Sequence, residues 1–160
     1  MPTRGYWLMK SEPESYGIDH LARDRRTAWE GVRNYRARNF MRDQMRLGDG
    51  VLFYHSSADP PGIAGVARVC SEPYPDPSQF DPSSPYFDAG SERSEPRWHL
   101  VDIEFVQKLD EPLSLAFLRE QKALAGMALL QRGQRLSVQP VTPAEWRHVL
   151  KLAGVRDAGA

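Results

Sequence analysis

The chain has a single cysteine, no membrane-length apolar run and no net charge, and each of these absences narrows the possible classes of protein. Cys70 alone cannot form an internal disulfide, which agrees with a reducing compartment. The N-terminus shows neither the basic start nor the apolar core of a secretory signal, and no apolar stretch approaches the length of a membrane span. We therefore expect a soluble, cytoplasmic protein without a membrane partner.

The chain also lacks the motifs of several common enzyme classes. Its four histidines show no paired spacing, and a single cysteine offers no partner for a metal site. Neither a G-x-S-x-G turn nor a phosphate-binding glycine loop occurs, which argues against a serine hydrolase and a dinucleotide-binding domain. We expect no metal and no cofactor.

The length of 160 residues, 41% of them hydrophobic, is that of one compact domain with one core. We predict a single domain over residues 1–155, a flexible tail over residues 156–160 and disorder at residues 1–4.

Charge is distributed unevenly along this domain. Residues 23–46 contain eight arginines against three acidic residues, whereas residues 72–111 contain ten acidic residues against three basic ones. A basic face on a neutral protein predicts a selective nucleic-acid contact rather than strong nonspecific adhesion.

The most informative segment runs from Trp29 to Asn39 and reads W-E-G-V-R-N-Y-R-A-R-N. It combines two aromatic rings, two asparagines and three arginines. Rings recognise the flat face of a base, amides read donors and acceptors, and arginines hold phosphate. This combination favours a nucleotide over other common ligands.

Hydrophobic periodicity and turn residues predict many short elements. We predict strands over residues 6–10, 51–54, 63–69, 98–106 and 135–138. We predict helices over residues 18–25, 34–45 and 113–130, the last in two pieces, and a final helix that a capping box opens at Thr142. In the strand over residues 98–106, the positions 99, 101, 103 and 105 should face the core. This mixture indicates an α+β fold built on a small β-barrel with flanking short helices.

Residues 71–97 form a segment too long for a simple connection, with six prolines and four aromatic rings. Its rings suggest that it folds over the surface of the domain. Two interpretations stay open, a lid over a site and a packed loop without a function.

Polar residues follow two of the predicted strands, at the point where side chains leave a barrel core. Lys10 and Ser11 end the first strand, and His55 and Ser56 end another. Such positions line pockets. The alternative is structural, with Lys10 in a surface ion pair and His55 bound to a loop carbonyl. Trp29 is similarly open to two interpretations, as part of the core or as a platform for a ligand.

Several motifs then occur in a fixed order along the chain. They are YWLMKSEP at residues 6–13, WEGVRNY at 29–35 with ARN at 37–39, GD at 48–49, YHS at 54–56 and RLSVQPV at 135–141. Taken together they resemble the EVE domain, as in the thymocyte nuclear protein family. The resemblance covers nearly the whole chain, and the long loop of residues 74–87 is also similar to that of the family.

The resemblance implies a PUA-like β-barrel, akin to YTH and ASCH domains, with a pocket for a modified base flipped out of DNA or RNA. The pocket residues that it implies are Lys10, Ser11, Trp29, Asn34, Tyr54, His55 and Ser56, with Trp98 or Tyr86 as further walls. It also implies that flanking phosphates are held by Arg33, Arg36 and Arg38. Helical spacing cannot place all three arginines on one face, so we expect at least one to serve as a structural clamp. For the motif at residues 135–141 we expect a structural role in the barrel core.

We therefore expect a non-catalytic module that binds a modified, possibly methylated base in nucleic acid. The alternative is a small hydrolase of modified nucleosides in which Lys10 supplies a base or nucleophile. A protein-interaction module is a third possibility. The informative residues are of stacking and hydrogen-bonding types, which favours the first interpretation.

Overall fold

A computed structural model of the protein describes residues 4–133 and 135–157. Its strands are β1 (Tyr6–Ser11), β2 (Arg26–Ala28), β3 (Gly50–His55), β4 (Gly62–Val69), β5 (Tyr74–Pro75), β6 (His99–Leu100), β7 (Asp102–Ser114) and β8 (Val138–Pro140). Its α-helices are α1 (Pro13–Tyr16), α2 (Ile18–Asp24), α3 (Tyr35–Asn39), α4 (Leu115–Arg119) and α5 (Pro143–Ala153). A π-helical turn follows α3 at Phe40–Gln44, and 3₁₀ turns lie at Pro77–Phe80, Lys122–Leu124 and Ala128–Leu130.

Six strands form one mixed sheet in the order β2-β7-β4-β3-β1-β8, and β5 pairs with β6 in a separate small sheet. Strand β1 is parallel to β3, while the other pairs in the large sheet are antiparallel. The register between β4 and β7 shifts twice, and such bulges increase twist and bend a sheet. The result is a curled half-barrel with a few short helices. The prediction of a PUA-like α+β fold is confirmed.

Hydrophobic side chains pack on both faces of this sheet, because alternate residues of a strand point in opposite directions. On β1, Trp7 and Met9 belong to a core cluster that includes Ile18 of α2. Between them, Leu8 points to a second cluster, which includes Trp146 of α5. The first cluster lies behind the segment that carries Trp29, so it is this face that positions the candidate site.

Helix ends follow the expected capping chemistry. The Asn34 side chain accepts a hydrogen bond from the Ala37 backbone N–H and thereby begins α3. The capping box predicted for the last helix is confirmed, since the Thr142 hydroxyl accepts from Glu145 N–H and the Glu145 carboxylate accepts from Thr142 N–H. Among the described residues, none of the helices is sufficiently long and apolar to span a membrane.

Long-range strand pairing changed the extent of two predicted elements. The helical prediction over residues 113–130 fails at its start, because Leu113 and Ser114 complete β7 by pairing with Ile63 and Gly62. Only one short α-helix and two 3₁₀ turns follow. The strand predicted over residues 135–138 lies further along, at Val138–Pro140, where it pairs with β1. In both places long-range pairing overrides the local pattern.

The strand predicted over residues 98–106 is interrupted at Val101 and continues to Ser114. Its core assignment was only partly correct, because Val101 and Ile103 are buried but so are Trp98 and Leu100. The flexibility predicted for residues 1–4 and 156–160 stays a prediction, and an ion pair joins the described parts of the two ends. The Arg4 guanidinium pairs with Asp157 at 2.9 Å. Residues 1–3 and 158–160 lie outside the described residues.

Candidate functional site

A cavity of about 660 Å³ opens beside the segment of Trp29, a volume ordinary for a small-molecule site. Residues from the end of β1, from α1, from β2 and from the long loop of residues 71–97 surround it. Its lining is Lys10, Ser11, Glu12, Ser15, Tyr16, Thr27, Ala28, Trp29, Glu30, Gly31, Val32, Arg33, Tyr86 and Ser137. The structure therefore brings together Lys10, Ser11, Trp29, Arg33 and Tyr86 of the predicted residues.

Trp29 is at once a core residue and a wall of this cavity. Its side chain is only 8% exposed, and its ring meets that of Phe53 edge-on with the centroids 5.6 Å apart. Its backbone N–H donates to Val101 O at 3.0 Å. The indole is thus fixed in position by the first core cluster, and only a small part of it reaches the cavity.

Two of the charged residues that line the cavity, Lys10 and Glu30, have pKa values shifted from their usual values. Burial lowers the pKa of the Lys10 ammonium, because desolvation disfavours its charged form. Burial also raises the pKa of the Glu30 carboxyl, with a smaller contribution from the negative charge of Asp76. Lys10 and Glu30 both line this hollow, and the ammonium of Lys10 lies 5.8 Å from the centre of the Tyr54 ring.

The outer wall of the cavity is the ring of Tyr86, which packs on a glycine. Gly31 has a φ of +86°, and a Cβ built on it would lie 2.6 Å from Tyr86 Cζ. Only glycine permits this approach, since any Cβ would overlap the ring. The Tyr86 carbonyl accepts from Arg33 Nη2 at 2.6 Å, which holds the backbone of the loop in place.

A buried carboxylate, Asp76, joins this wall to the segment of Trp29. It is 1% exposed and accepts from Gly31 N–H at 2.9 Å, from Arg33 Nη1 at 3.1 Å and from Ser78 N–H at 2.8 Å. The loop of residues 71–97 is therefore packed against the domain by hydrogen bonds. This packing matches the interpretation of a packed loop rather than that of a lid. The loop nevertheless has a place at the site, because its Tyr86 forms a wall of the cavity.

Five residues predicted for the pocket do not line the cavity. Asn34 caps α3, and the His55 Nε2 atom accepts from Ile18 N–H at 3.1 Å. The Ser56 N–H donates to Ser11 O, while Tyr54 is buried in the second core cluster. Trp98 stacks on Tyr35 with centroids 4.8 Å apart and donates from Nε1 to Asp88. Their contact with a base stays a prediction, for which this arrangement gives no support.

The three arginines predicted to hold phosphate differ in their surroundings. Arg33 is the expected clamp, bound to Asp76, Ser78 and the Tyr86 carbonyl. Arg38 donates to Arg97 O at 2.6 Å, and its guanidinium lies over the ring of Tyr35. Arg36 is exposed, and within the described part of the chain it forms no ion pair. Only Arg36 keeps its guanidinium available to a ligand.

Sequence reasoning missed several lining residues, most importantly Glu30 and Ser137. Glu30 belongs to the W-E-G motif, but the predicted base pocket included Trp29 of this motif and not Glu30. Ser137 belongs to the motif at residues 135–141, which was assigned a structural role. Its carbonyl accepts from Lys10 N–H at 2.8 Å, so this motif is held directly beside the cavity. Ser137 belongs to the motif RLSVQPV at residues 135–141, and its place in that motif was a signal that could have indicated a role at the site as well as in the barrel core.

Groups of three or more His, Cys, Asp and Glu side chains that could hold a metal ion are not found in the part of the chain that the structure describes. The residues that line the cavity offer aromatic contact, the amine of Lys10, the guanidinium of Arg33, the carboxylates of Glu12 and Glu30, and several hydroxyl groups.

Comparisons with known proteins agree on one family. The family model of the EVE domain matches residues 5–152. Human thymocyte nuclear protein 1 is 42% identical over 166 residues, which cover 92% of this chain and 73% of that protein. The solved structure of a protein from Pseudomonas syringae matches with a TM-score of 0.89 and 46% identity, over 92% of this chain and 99% of the other.

A second solved structure concerns binding. The human THYN1 protein in complex with 5-methylcytosine containing DNA matches with a TM-score of 0.87 and 40% identity, over 96% of this chain and 99% of that chain. A more distant structure, an ASCH protein from Zymomonas mobilis, matches with a TM-score of 0.56 at 13% identity, over 93% and 99% of the two chains. That likeness shows a shared fold alone.

Proposed function

Because this chain belongs to the EVE domain family, we propose that it is a non-catalytic module that binds DNA by enclosing a modified base in the cavity beside Trp29. The observation that carries the proposal is the meeting of aromatic, donor and acceptor groups in one hollow. A similar protein, human THYN1, has been solved in complex with 5-methylcytosine containing DNA. That complex supports DNA as the polymer and a methylated cytosine as the base.

The energetics favour a flat ligand that is drawn out of a duplex. Extruding a base costs a few kcal/mol of lost stacking and pairing. Contact with an aromatic ring returns about 1–3 kcal/mol per base. Tyr16, Trp29 and Tyr86 line the cavity and provide such surfaces. Trp29 is held rigidly by Phe53, so little conformational entropy is lost when a base packs on it.

The polar groups match the hydrogen-bonding edge of cytosine. Cytosine presents an exocyclic amine as a donor and ring nitrogen and carbonyl groups as acceptors. The Glu30 carboxylate accepts from the amine. The Lys10 ammonium, which lies 5.8 Å from the centre of the Tyr54 ring, turns toward the cavity to donate to the acceptors. Both groups are partly desolvated, which strengthens each hydrogen bond and penalises a base that leaves one unpaired.

The test is a binding measurement with a modified and an unmodified duplex. Fluorescence anisotropy of the full chain compares a duplex with one 5-methylcytosine, the same duplex with cytosine, and the matching methylated RNA. We expect preference for the methylated DNA. Glu30→Gln and Lys10→Met should each reduce affinity for it by about 10- to 150-fold, the equivalent of one hydrogen bond to a charged group.

Charge-matched controls lie outside the cavity. Glu111→Gln on β7 and Lys151→Met on α5 change the same charges at exposed positions and should leave the preference unchanged. Equal affinity of the wild type for methylated and unmethylated DNA would refute the proposal. A preference for methylated RNA would support the base site but would show that the polymer is RNA and not DNA.

The competing hypothesis is a hydrolase that uses Lys10. The observation in its favour is the pKa of Lys10, which burial lowers so that more of the amine is unprotonated at neutral pH. Mass spectrometry after incubation with modified nucleosides and oligonucleotides separates the two. Product that forms with the wild type and disappears with Lys10→Ala would replace the binding module by an enzyme.

A further inference from the structure

A second groove of about 470 Å³ adjoins the base cavity, and Lys10 lines both of them. We propose that this groove binds the sugar-phosphate backbone of the strand whose base occupies the cavity. The inference rests on the proposed function and adds the surface that holds the polymer. We call it the basic groove, and its lining is Lys10, Tyr54, Leu115, Arg119, Leu129, Leu130, Gln131, Arg132, Gly133 and Arg135.

The charge of the basic groove is of one sign. Four of its lining residues are cations, and none of the lining residues is acidic. On a chain with a net charge of zero, this is a local excess that must be balanced elsewhere on the surface. Cations that line a concave surface reinforce one another and attract a polyanion.

Half of the other arginines of this protein have an acidic partner, and the arginines of the basic groove have none among the described residues. Arg26 pairs with Asp102, and Arg68 pairs with Glu104. Over residues 4–133 and 135–157, by contrast, no ion pair is formed by Arg119, Arg132 and Arg135, and all three are exposed. Their guanidinium groups are available for the bidentate hydrogen bonds that phosphate favours.

The scaffold beneath these arginines is well connected to the rest of the fold. The turn that carries Arg132 is anchored by Gln131, whose side-chain amide donates to Ala125 O and Met127 O at 3.0 Å each. Beyond the turn, Ser137 O accepts from Lys10 N–H, which ties the segment of Arg135 to β1. The groove is therefore fixed relative to the base cavity.

The position of Lys10 explains how the two sites act on one strand. Its ammonium lies 5.8 Å from the centre of the Tyr54 ring, at the side of the basic groove, while the residue also lines the base cavity. A nucleotide whose base enters the cavity would place its flanking phosphates beyond Lys10. The leucines of the groove offer an apolar floor for the sugars between them.

This assignment replaces two of the arginines that the sequence suggested. Arg33 and Arg38 are occupied by internal hydrogen bonds, so their loss would disturb the fold before it disturbed a phosphate contact. Arg36 is the alternative candidate for a phosphate contact, because it is exposed and forms no ion pair among the described residues.

The experiment measures the salt dependence of binding for the full chain with Arg119, Arg132 and Arg135 changed to Gln, singly and together. Each phosphate contact contributes about 0.7 to 0.9 to the slope of log K against log salt. The triple variant should flatten the slope by about 2 to 3 and weaken binding about 100-fold at 0.1 M salt. Because phosphate contacts carry no base information, methylated and unmethylated duplexes should lose affinity by the same factor.

Controls and outcomes separate this inference from the base site. Arg147→Gln on α5 removes an exposed charge outside both hollows and should leave the slope unchanged. A triple variant with wild-type slope, or a flattened slope in Arg36→Gln alone, overturns the basic groove while the methyl preference still stands. Loss of methyl preference at an unchanged slope would likewise contradict a backbone role. The circular dichroism spectrum of the triple variant must match that of the wild type. If the triple variant does not fold, the single variants provide the same test of the salt slope.

Discussion

The contact between Gly31 and Tyr86 allows a prediction in which the wall of the cavity is moved by one methyl group. In Gly31→Ala, the new Cβ would lie 2.6 to 2.7 Å from three atoms of the Tyr86 ring. Tyr86 is 43% exposed, so its ring can swing outward and leave the cavity open. The substitution should therefore impair base binding more than it impairs folding.

The magnitude on stability follows from the backbone. Gly31 has a φ of +86°, in the left-handed region, where an alanine costs about 1–2 kcal/mol. For a domain of this size the melting temperature should fall by about 2–8 °C. Gly48→Ala is the matched control, because Gly48 has a φ of +93° and nothing lies within 4 Å of its Cβ position. The two variants should lose comparable stability.

Binding should distinguish them. Losing the Tyr86 wall removes a stacking contact of about 1–3 kcal/mol, or about 5- to 150-fold in affinity for the methylated duplex. Gly48→Ala should bind as the wild type does. The double variant Gly31→Ala/Tyr86→Ala should bind no more weakly than Tyr86→Ala, because the ring that the methyl group displaces is already absent.

Anisotropy titrations at fixed salt, with thermal unfolding of each variant, provide both quantities. Equal affinities of Gly31→Ala and the wild type would refute the role of Tyr86 as a wall. Additive losses in the double variant would show that the methyl group acts on something other than the ring.

Two further predictions concern the core beside the site. Trp29→Ala should lower the free energy of unfolding by about 3–5 kcal/mol, because Trp29 is only 8% exposed and lies within the first core cluster. Urea unfolding measures this free energy. An unchanged urea midpoint would place the indole outside the core. For His55, burial lowers the pKa below its usual value near 6.5, so the unfolded state takes up a proton first as the pH falls. The contribution of His55 to stability should be complete above a pH of about 6.5 and should decline below it, because protonation of Nε2 removes the acceptor of Ile18 N–H. In His55→Gln the decline should be shallower. Parallel profiles of stability against pH in the two proteins would contradict this.

The short elements near strong local signals could be predicted from the sequence. The boundaries of β1 and β4 agree with the predicted strands to within one residue, and the capping box at Thr142 marks the start of α5. Prediction failed where residues far apart in sequence pair. Leu113 joined a strand because Ile63 lies opposite it, and no periodicity in residues 113–130 contains that information.

The candidate site was predictable in part for the same reason. Lys10 and Trp29 stand in motifs whose composition already suggested ligand contact, and both line the cavity. Asn34 and His55 have the same chemistry, but their hydrogen bonds go to Ala37 and Ile18. An amide or imidazole can serve a cap as well as a ligand, and sequence does not distinguish the two.

The amino-acid sequence by itself determined the family, the fold class, the capping box of the last helix and the residue types from which a site could be made, because these depend on local composition and spacing. Only the tertiary structure decided which of those residues meet. Asp76 reaches across from the long loop to hold Gly31 and Arg33, and this contact sets Tyr86 as a wall. Such a buried carboxylate is stable only where its partners converge on it, and convergence is a property of packing rather than of any segment.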